Sequence, residues 1–505
     1  MHQPSRAPFP LVAAAIIAAA TTLLPVAYLA DQAFVEGAAN YIDEVWQSRT
    51  AELLARSLGL AAAVTALCVV IGVGSALAIT RVALPFPRLI NGLLVAPLAV
   101  PSYVAAYVWI SHSSALAGFW GAVLVLTSVS YPYVYLPVKA ALERVDPAFE
   151  EVARSLGRSP THALFVTLGQ VRSSISAGAL LVSLYVLSDF GAVATMRYEA
   201  FTFVIFGAYR AGFNPSRAAA FSSVLIAAAL VIVVLEARAR GRGTARVGAG
   251  APRAIAKSAR RPARHAPGVG FAALFAVTLV VPVGTLVSWL LKAPNASVEV
   301  ADIASAAWAT VRLGFYATLL TVALAVPVGY LAARFKSPLT STIERATYVS
   351  HALPGIVVAI SMIYVGIRLL DQIYLRTPLL VLTYAVLFLP LAAGAVRSTV
   401  EQTPRQLEDV ARSLGRGPLQ VFRAVTLPLC APGVGAGAAL VAVTVMKELP
   451  ATLLLRPTGM ETLSMELWKH TVVSDYASAA PYATLLVIIA AVPVYLLGRW
   501  QNGSA

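Results

Sequence analysis

The chain has 505 residues, of which 59% are hydrophobic and only 12% charged, and its mean hydropathy is +0.77. A water-soluble protein carries about 25% charged residues, so a string of soluble domains is excluded and the solvent must be largely lipid. Thirty-eight Lys and Arg against 23 Asp and Glu leave a net charge of +15, which has to be explained by where the cations lie along the chain.

A membrane-crossing helix uses about 20 apolar residues, so this composition accommodates about twelve. In chain order the apolar runs lie near 9–30, 57–80, 89–110, 115–137, 174–196, 217–235, 269–291, 313–333, 347–369, 378–397, 428–446 and 480–498. The first, from Phe9 to Ala30, is too long for the core of a cleaved signal peptide and reads as an uncleaved helix. Alternate connections are basic: Arg81 and Arg88, Lys139 to Arg172, 236–268, Arg334 to Arg345, Arg397 to Arg423, and Arg499. Connection 31–50 instead carries Asp31, Glu36, Asp43 and Glu44 against Arg49. The positive-inside bias then puts both termini in the cytoplasm. Segment 236–268 holds nine basic residues with Glu236 as its one acid. It reads as a flexible linker against an anionic leaflet, where each cation gains about 1 kcal/mol, and not as a nucleic-acid site. Cys68 and Cys430 lie in separate apolar runs and the six histidines have no ligand spacing, so no disulfide framework or metal site is expected.

The chain repeats itself. EEVARSLGRSP at 150–160 returns as EDVARSLGRGP at 408–418, 258 residues later, and Thr167-Leu168 returns as Thr426-Leu427 after one inserted residue. LAVPSYV at 98–104 parallels HALPGIV at 351–357. The expected organisation is an all-α polytopic protein of two parallel six-helix repeats, 1–240 and 267–505, joined by a basic linker at 241–266. An even number of spans per repeat gives both copies the same orientation.

The best-matched stretch is a polar connection, between the fourth and fifth spans of each repeat. Its local chemistry predicts a short helix. Asp146-Pro147 and Thr403-Pro404 are N-cap and N1 pairs, and Gly157 and Gly415 supply the left-handed stop. Ala153 and Ala411 leave a small face for another surface to approach. Glu150, Glu151, Glu408 and Asp409 lie in the outer turns, with Arg154, Arg158, Arg412 and Arg416 beside them.

The pattern Glu151-Val-Ala153-Arg-Ser-Leu-Gly157, returning as Asp409-Val-Ala411-Arg-Ser-Leu-Gly415, resembles the EAA loop of binding-protein-dependent ABC importer permeases of the type I kind. The second copy also has the trailing Val425-Thr-Leu427-Pro428, whereas the first departs after Thr167-Leu168 with Gly169-Gln170. The resemblance covers essentially the whole chain. With MKELPATLLLRPTG at 446–459, it is most like permeases of bacterial ferric-iron importers; those for thiamine, polyamines or aminoethylphosphonate are similar in kind. It implies location in the bacterial inner membrane, a periplasmic solute-binding protein, and two copies of a cytoplasmic ATPase. These would be coupled through Glu150, Glu151, Ala153, Arg154, Gly157, Glu408, Asp409, Ala411, Arg412 and Gly415. None of the six lysines follows a glycine, so no P-loop is present. The chain is expected to be a transport subunit rather than an enzyme, with no cofactor of its own and ATP bound by the partner.

Ionisable residues inside a span mark candidate pathways. Asp189 and Glu448 occupy equivalent positions, where either they line the translocation path, or Asp189 caps a broken helix before Gly191 and Glu448 pairs with Lys447 at the interface. Pro101 and Pro354 break the third span of each repeat and either face the path or kink a packed helix. An ion-coupled secondary transporter would also use repeats, but is expected to show mid-membrane charge relays. A membrane enzyme finds no support, because no nucleophile, base and orienter occur at recognisable spacing.

Overall fold

The computed structural model describes residues 7–35, 37–143, 145, 148–210, 212, 214–240, 261–292, 299–350 and 353–502. Among these the architecture is helical. Nine helices are long and apolar enough to cross a membrane, and two bent pairs bring the candidate spans to eleven. The predicted run at 347–369 is represented by the shorter helix Gly355–Arg368, which follows a break at Pro354.

Breaks occur where the backbone loses a donor. Pro101 has no N–H to give to a preceding turn, and at φ −62° and ψ 143° it separates Pro87–Ala99 from Ser102–His112, which meet at 90°. Pro354, at φ −59° and ψ 144°, does the same before Gly355–Arg368.

The described helices form two compact units: Met1–Val45, Ile205–Ser223 and Lys292–Ala505 in one, Trp46–Val204 and Val224–Leu291 in the other. The helix Phe9–Val35 therefore packs in the unit that holds most of the second repeat, against Val300–Arg334, Pro338–Val349 and Gly355–Arg368. There the Thr22 hydroxyl donates to the Ala346 carbonyl at 3.2 Å and the Tyr364 hydroxyl to Asp31 at 2.7 Å. Conversely, Pro267–Leu291 belongs with the first repeat, where it and Ser48–Arg81 bound an apolar cavity of about 570 Å³ lined by Leu67, Phe271 and Leu274.

Each unit brings its long helices together over glycine. With no hydrophobic drive between helices in lipid, close backbone approach supplies the packing. A Cβ on Gly72 would meet Val134 Cβ at 2.8 Å, and one on Gly178 would meet Val134 Cα at 2.8 Å, so Val134 is wedged between two glycines. In the other unit a Cβ on Gly329 would meet Val396 at 2.7 Å and one on Gly437 would meet Ala395 at 2.6 Å.

The basic segment 236–268 is flanked by two helices. Helices Pro215–Arg240 and Arg261–Phe275 take in its two ends, since Ala and Arg are good helix formers. Its middle, 241–260, lies outside the described residues, as do Asp146, Pro147 and the predicted cap they form.

Gly72→Leu is expected to destabilise the protein by about 1–3 kcal/mol through overpacking against Val134. The thermal unfolding midpoint of the purified protein in detergent measures this, and an unchanged midpoint would contradict the packing described.

Candidate functional site

The repeated polar connections form two short helices, Ala148–Ser155 and Arg405–Ser413. Each ends on a glycine in the left-handed region, Gly157 at φ +75° and Gly415 at φ +82°. In each, two backbone bonds close the stop: Gly157 N–H to Arg154 at 3.0 Å and Arg158 N–H to Ala153 at 3.1 Å, matched by Gly415 to Arg412 at 2.9 Å and Arg416 to Ala411 at 3.2 Å. This satisfies carbonyls that a helix end leaves free. The start of the second helix differs from the predicted cap. Thr403 terminates the preceding helix, its hydroxyl donating back to the Thr399 carbonyl at 3.1 Å, and Pro404 takes the capping position.

An ion pair, buried in the second copy and half-buried in the first, holds each short helix to the end of a long one. Arg334, the last residue of Val300–Arg334, places Nη2 2.8 Å and Nε 3.0 Å from Glu408 Oε1. The two side chains are 6% and 2% exposed. Thr426 donates its hydroxyl to the same carboxylate oxygen at 3.1 Å, and Arg412 approaches the other at 3.2 Å. Arg334 also donates to the Thr403 carbonyl at 3.1 Å. Arg405 donates to the carbonyls of Ala333 and Arg334 at 3.2 and 3.1 Å, placing a cation on a helix C-terminus.

The first copy repeats this arrangement. Arg81 ends Ser48–Arg81 and sits 2.6 Å from Glu150, with side chains 20% and 14% exposed. Thr167 donates to Glu150 at 3.3 Å and accepts from Arg81 at 3.1 Å, while Arg154 lies 2.6 Å from the carboxylate. Thr426 stands one residue further from its glutamate than Thr167 does, and the second copy absorbs the insertion as a single π-turn at Phe422–Thr426. The wider turn returns the threonine to the carboxylate. Where the first copy departs in sequence it also departs in shape: Thr161–Gln170 and Arg172–Ser188 meet at 68°, whereas Leu419–Met446 is one span.

The site residues therefore divide. Glu150 and Glu408 face inward as anchors, and Glu151 and Asp409 face solvent, Asp409 paired with Arg412 at 2.8 Å. Ala153 and Ala411 are buried within their own units, so their small face accommodates the chain itself. The outward face is apolar: Val152 and Leu156 are 56% and 74% exposed, Val410 and Leu414 56% and 75%. Residues four apart share one helix face, so each helix presents a Val–Leu pair rimmed by exposed Arg158 or Arg416. The repeat contained this face in its letters. Arg81, Arg334 and the two threonines were visible too, but as orientation charges and repeat markers: the glutamate lies 69 or 74 residues from its arginine and 17 or 18 from its threonine.

Asp189 and Glu448 stand at helix breaks. Asp189 follows Arg172–Ser188 and precedes the short turn Gly191–Thr195; Glu448 precedes Pro450–Leu455. Pro101 and Pro354 cap the helices that pack against these turns.

The class of the protein, a transport permease, follows from its likeness to known proteins. Residues 69–240 and 325–503 match the binding-protein-dependent transport system inner membrane component family, and the chain belongs to it. It is 35% identical to the Fe(3+)-transport system permease protein FbpB 2 of Haemophilus influenzae, over 98% of this chain and 99% of that one. It is 26% identical to the molybdenum transport system permease protein ModB of Escherichia coli, over 38% of this chain and 92% of that one. A chain of the MetNI methionine ABC transporter, solved in inward-facing conformations, is 19% identical with a TM-score of 0.35, over 40% of this chain and 96% of that one.

Arg334→Ala is expected to loosen Arg405–Ser413 by about 3–5 kcal/mol, because Glu408 is left as a buried charge without its main partner. Arg81→Ala is expected to loosen Ala148–Ser155 by less, since Glu150 is closer to water. Hydrogen–deuterium exchange across both helices measures the difference; equal effects, or none, would contradict the anchoring.

Proposed function

We propose that the chain is the permease subunit of an ATP-driven importer that moves iron(III) from a periplasmic binding protein to the cytoplasm. The single observation that carries the ATPase-docking reading is the pair of exposed Val–Leu faces, each held in place by an Arg–Glu–Thr cluster. Exposed apolar patches of this kind on a polar rim mark interaction surfaces. Two near-identical patches call for two copies of one partner, a separate cytoplasmic ATPase that supplies the energy this chain has no P-loop to extract. In this reading both termini and both short helices lie on the cytoplasmic side of the bacterial inner membrane. Residues 1–240 and 267–505 are two permease halves, and 241–266 lies against the anionic leaflet. Glu150, Glu151, Arg154, Gly157 and their counterparts Glu408, Asp409, Arg412 and Gly415 shape and rim the docking faces.

Iron(III) as the substrate rests on the similarity to the Haemophilus influenzae protein, whose match runs the length of both chains. The alternative cargo is thiamine, a polyamine or a phosphonate, the last supported by 25% identity over 39% of this chain to the putative 2-aminoethylphosphonate transport system permease protein PhnV of Salmonella typhimurium.

Leu156→Asp combined with Leu414→Asp is expected to abolish co-purification of the ATPase and reduce radiolabelled iron(III) uptake to background, with membrane insertion unchanged. Full uptake in the double variant would contradict the docking assignment. Iron uptake unaffected by deletion of the chain would remove iron as the substrate.

A further inference from the structure

The two units solve the same local problem with reciprocal residues. In one, Asp189 Oδ1 accepts from the Ala192 N–H at 2.8 Å and Oδ2 accepts from the Ser102 hydroxyl at 2.5 Å. The Asp189 carbonyl accepts from the Thr202 hydroxyl at 2.7 Å. One buried carboxylate thus joins the start of Gly191–Thr195 to the start of Ser102–His112, beside Pro101. The two helices approach closely there: a Cβ on Gly191 would meet the Tyr103 side chain at 2.8 Å.

In the other unit Glu448 Oε1 accepts from the Ala451 N–H at 2.9 Å, and Oε2 accepts from the Thr452 N–H and hydroxyl, each at 3.2 Å. Thr452 in turn meets the Tyr384 hydroxyl at 2.6 Å. The residue after Pro354 is Gly355, where Ser102 follows Pro101, and a Cβ on Gly355 would lie 3.2 Å from Glu448 Oε1. The short acid therefore meets a serine, and the acid longer by one methylene meets a glycine. The space filled by a hydroxymethyl group in one unit is filled by the longer side chain in the other.

We propose that Asp189 with Ser102 and Glu448 with Gly355 are matched positioning pairs, the first fastening two breaks by a hydrogen bond and the second by packing the longer acid over the glycine, and that these carboxylates are not cargo ligands. Their oxygens are engaged by N–H and O–H donors at helix starts, where the positive end of the backbone dipole favours an anion. At a break within a membrane protein, backbone donors without partners are costly, so each carboxylate secures the start of the short helix that follows it, and Asp189 also holds the Ser102 hydroxyl at the start of the neighbouring helix. The uptake part of the test rests on the transport function proposed above; the stability part does not.

The test exchanges the pairs. Asp189→Glu, Ser102→Gly, Glu448→Asp and Gly355→Ser are each made alone, then as S102G/D189E and G355S/E448D, with Asp189→Asn as a charge-removing control. Unfolding midpoints in detergent and uptake of radiolabelled iron(III) in cells are measured for all. Each single change is expected to lower the midpoint and reduce uptake, Ser102→Gly by removing a hydrogen bond to a charged group and Gly355→Ser by crowding Glu448, and each double to restore both. Additive doubles, or singles with wild-type midpoints, would overturn the pairing. So would normal uptake in Asp189→Glu with uptake lost in Asp189→Asn at an unchanged midpoint, which is the behaviour of a cargo ligand. Restored midpoints with no iron uptake in the unaltered chain would leave the pairing intact and remove iron as the cargo.

Discussion

A carboxylate removed from water needs a partner held in good geometry, and the position of each short polar helix follows from that constraint. Glu408 is nearly inaccessible and is held by Arg334 at the last residue of a long helix. Taking either charge away strands the other, so the helix has one register in which its electrostatics close. With Glu408 inward, Val410 and Leu414 are turned outward by helical periodicity alone. The glycine stop then sends the chain back into the unit at Thr426, which completes the cluster. The first copy reaches the same end through Arg81, Glu150 and Thr167 despite being one residue shorter, because the second copy takes up its extra residue in a π-turn.

The units are tied at breaks as well as at loops. Glycines let long helices touch along their length, while Pro101 and Pro354 interrupt the shorter ones and leave backbone donors to be satisfied. At the breaks that these helices pack against, the carboxylates of Asp189 and Glu448 accept from the backbone N–H groups of Ala192 and Ala451. Each unit thus has a polar cluster at its loops and another at its breaks, linked by apolar helices.

Much of this was legible in the sequence. The apolar runs fix helices in lipid by composition, the repeat shows the duplication, and Gly157 and Gly415 announce their turns because only glycine adopts that conformation freely. The prolines mark the breaks. What stayed hidden depends on distant partners. Arg81 and Arg334 read as topology charges because nothing local assigns them to glutamates dozens of residues away. Ala153 and Ala411 suggested a surface for another protein, whereas the chain itself occupies that side. Apolar runs also say nothing about neighbours, so the packing of Phe9–Val35 with most of the second repeat was not readable from its residues.

The most direct measurement is a double-mutant cycle on the buried pair, using Arg334→Met and Glu408→Gln separately and together. The readout is ATP-driven uptake by the complex reconstituted with its ATPase in proteoliposomes. If the ion pair positions the docking face, each single variant is as impaired as the double, and the interaction term reaches about 2 kcal/mol or more. Effects that add within about 0.5 kcal/mol, the agreement expected of independent sites, would show that the two residues act separately and would contradict the account.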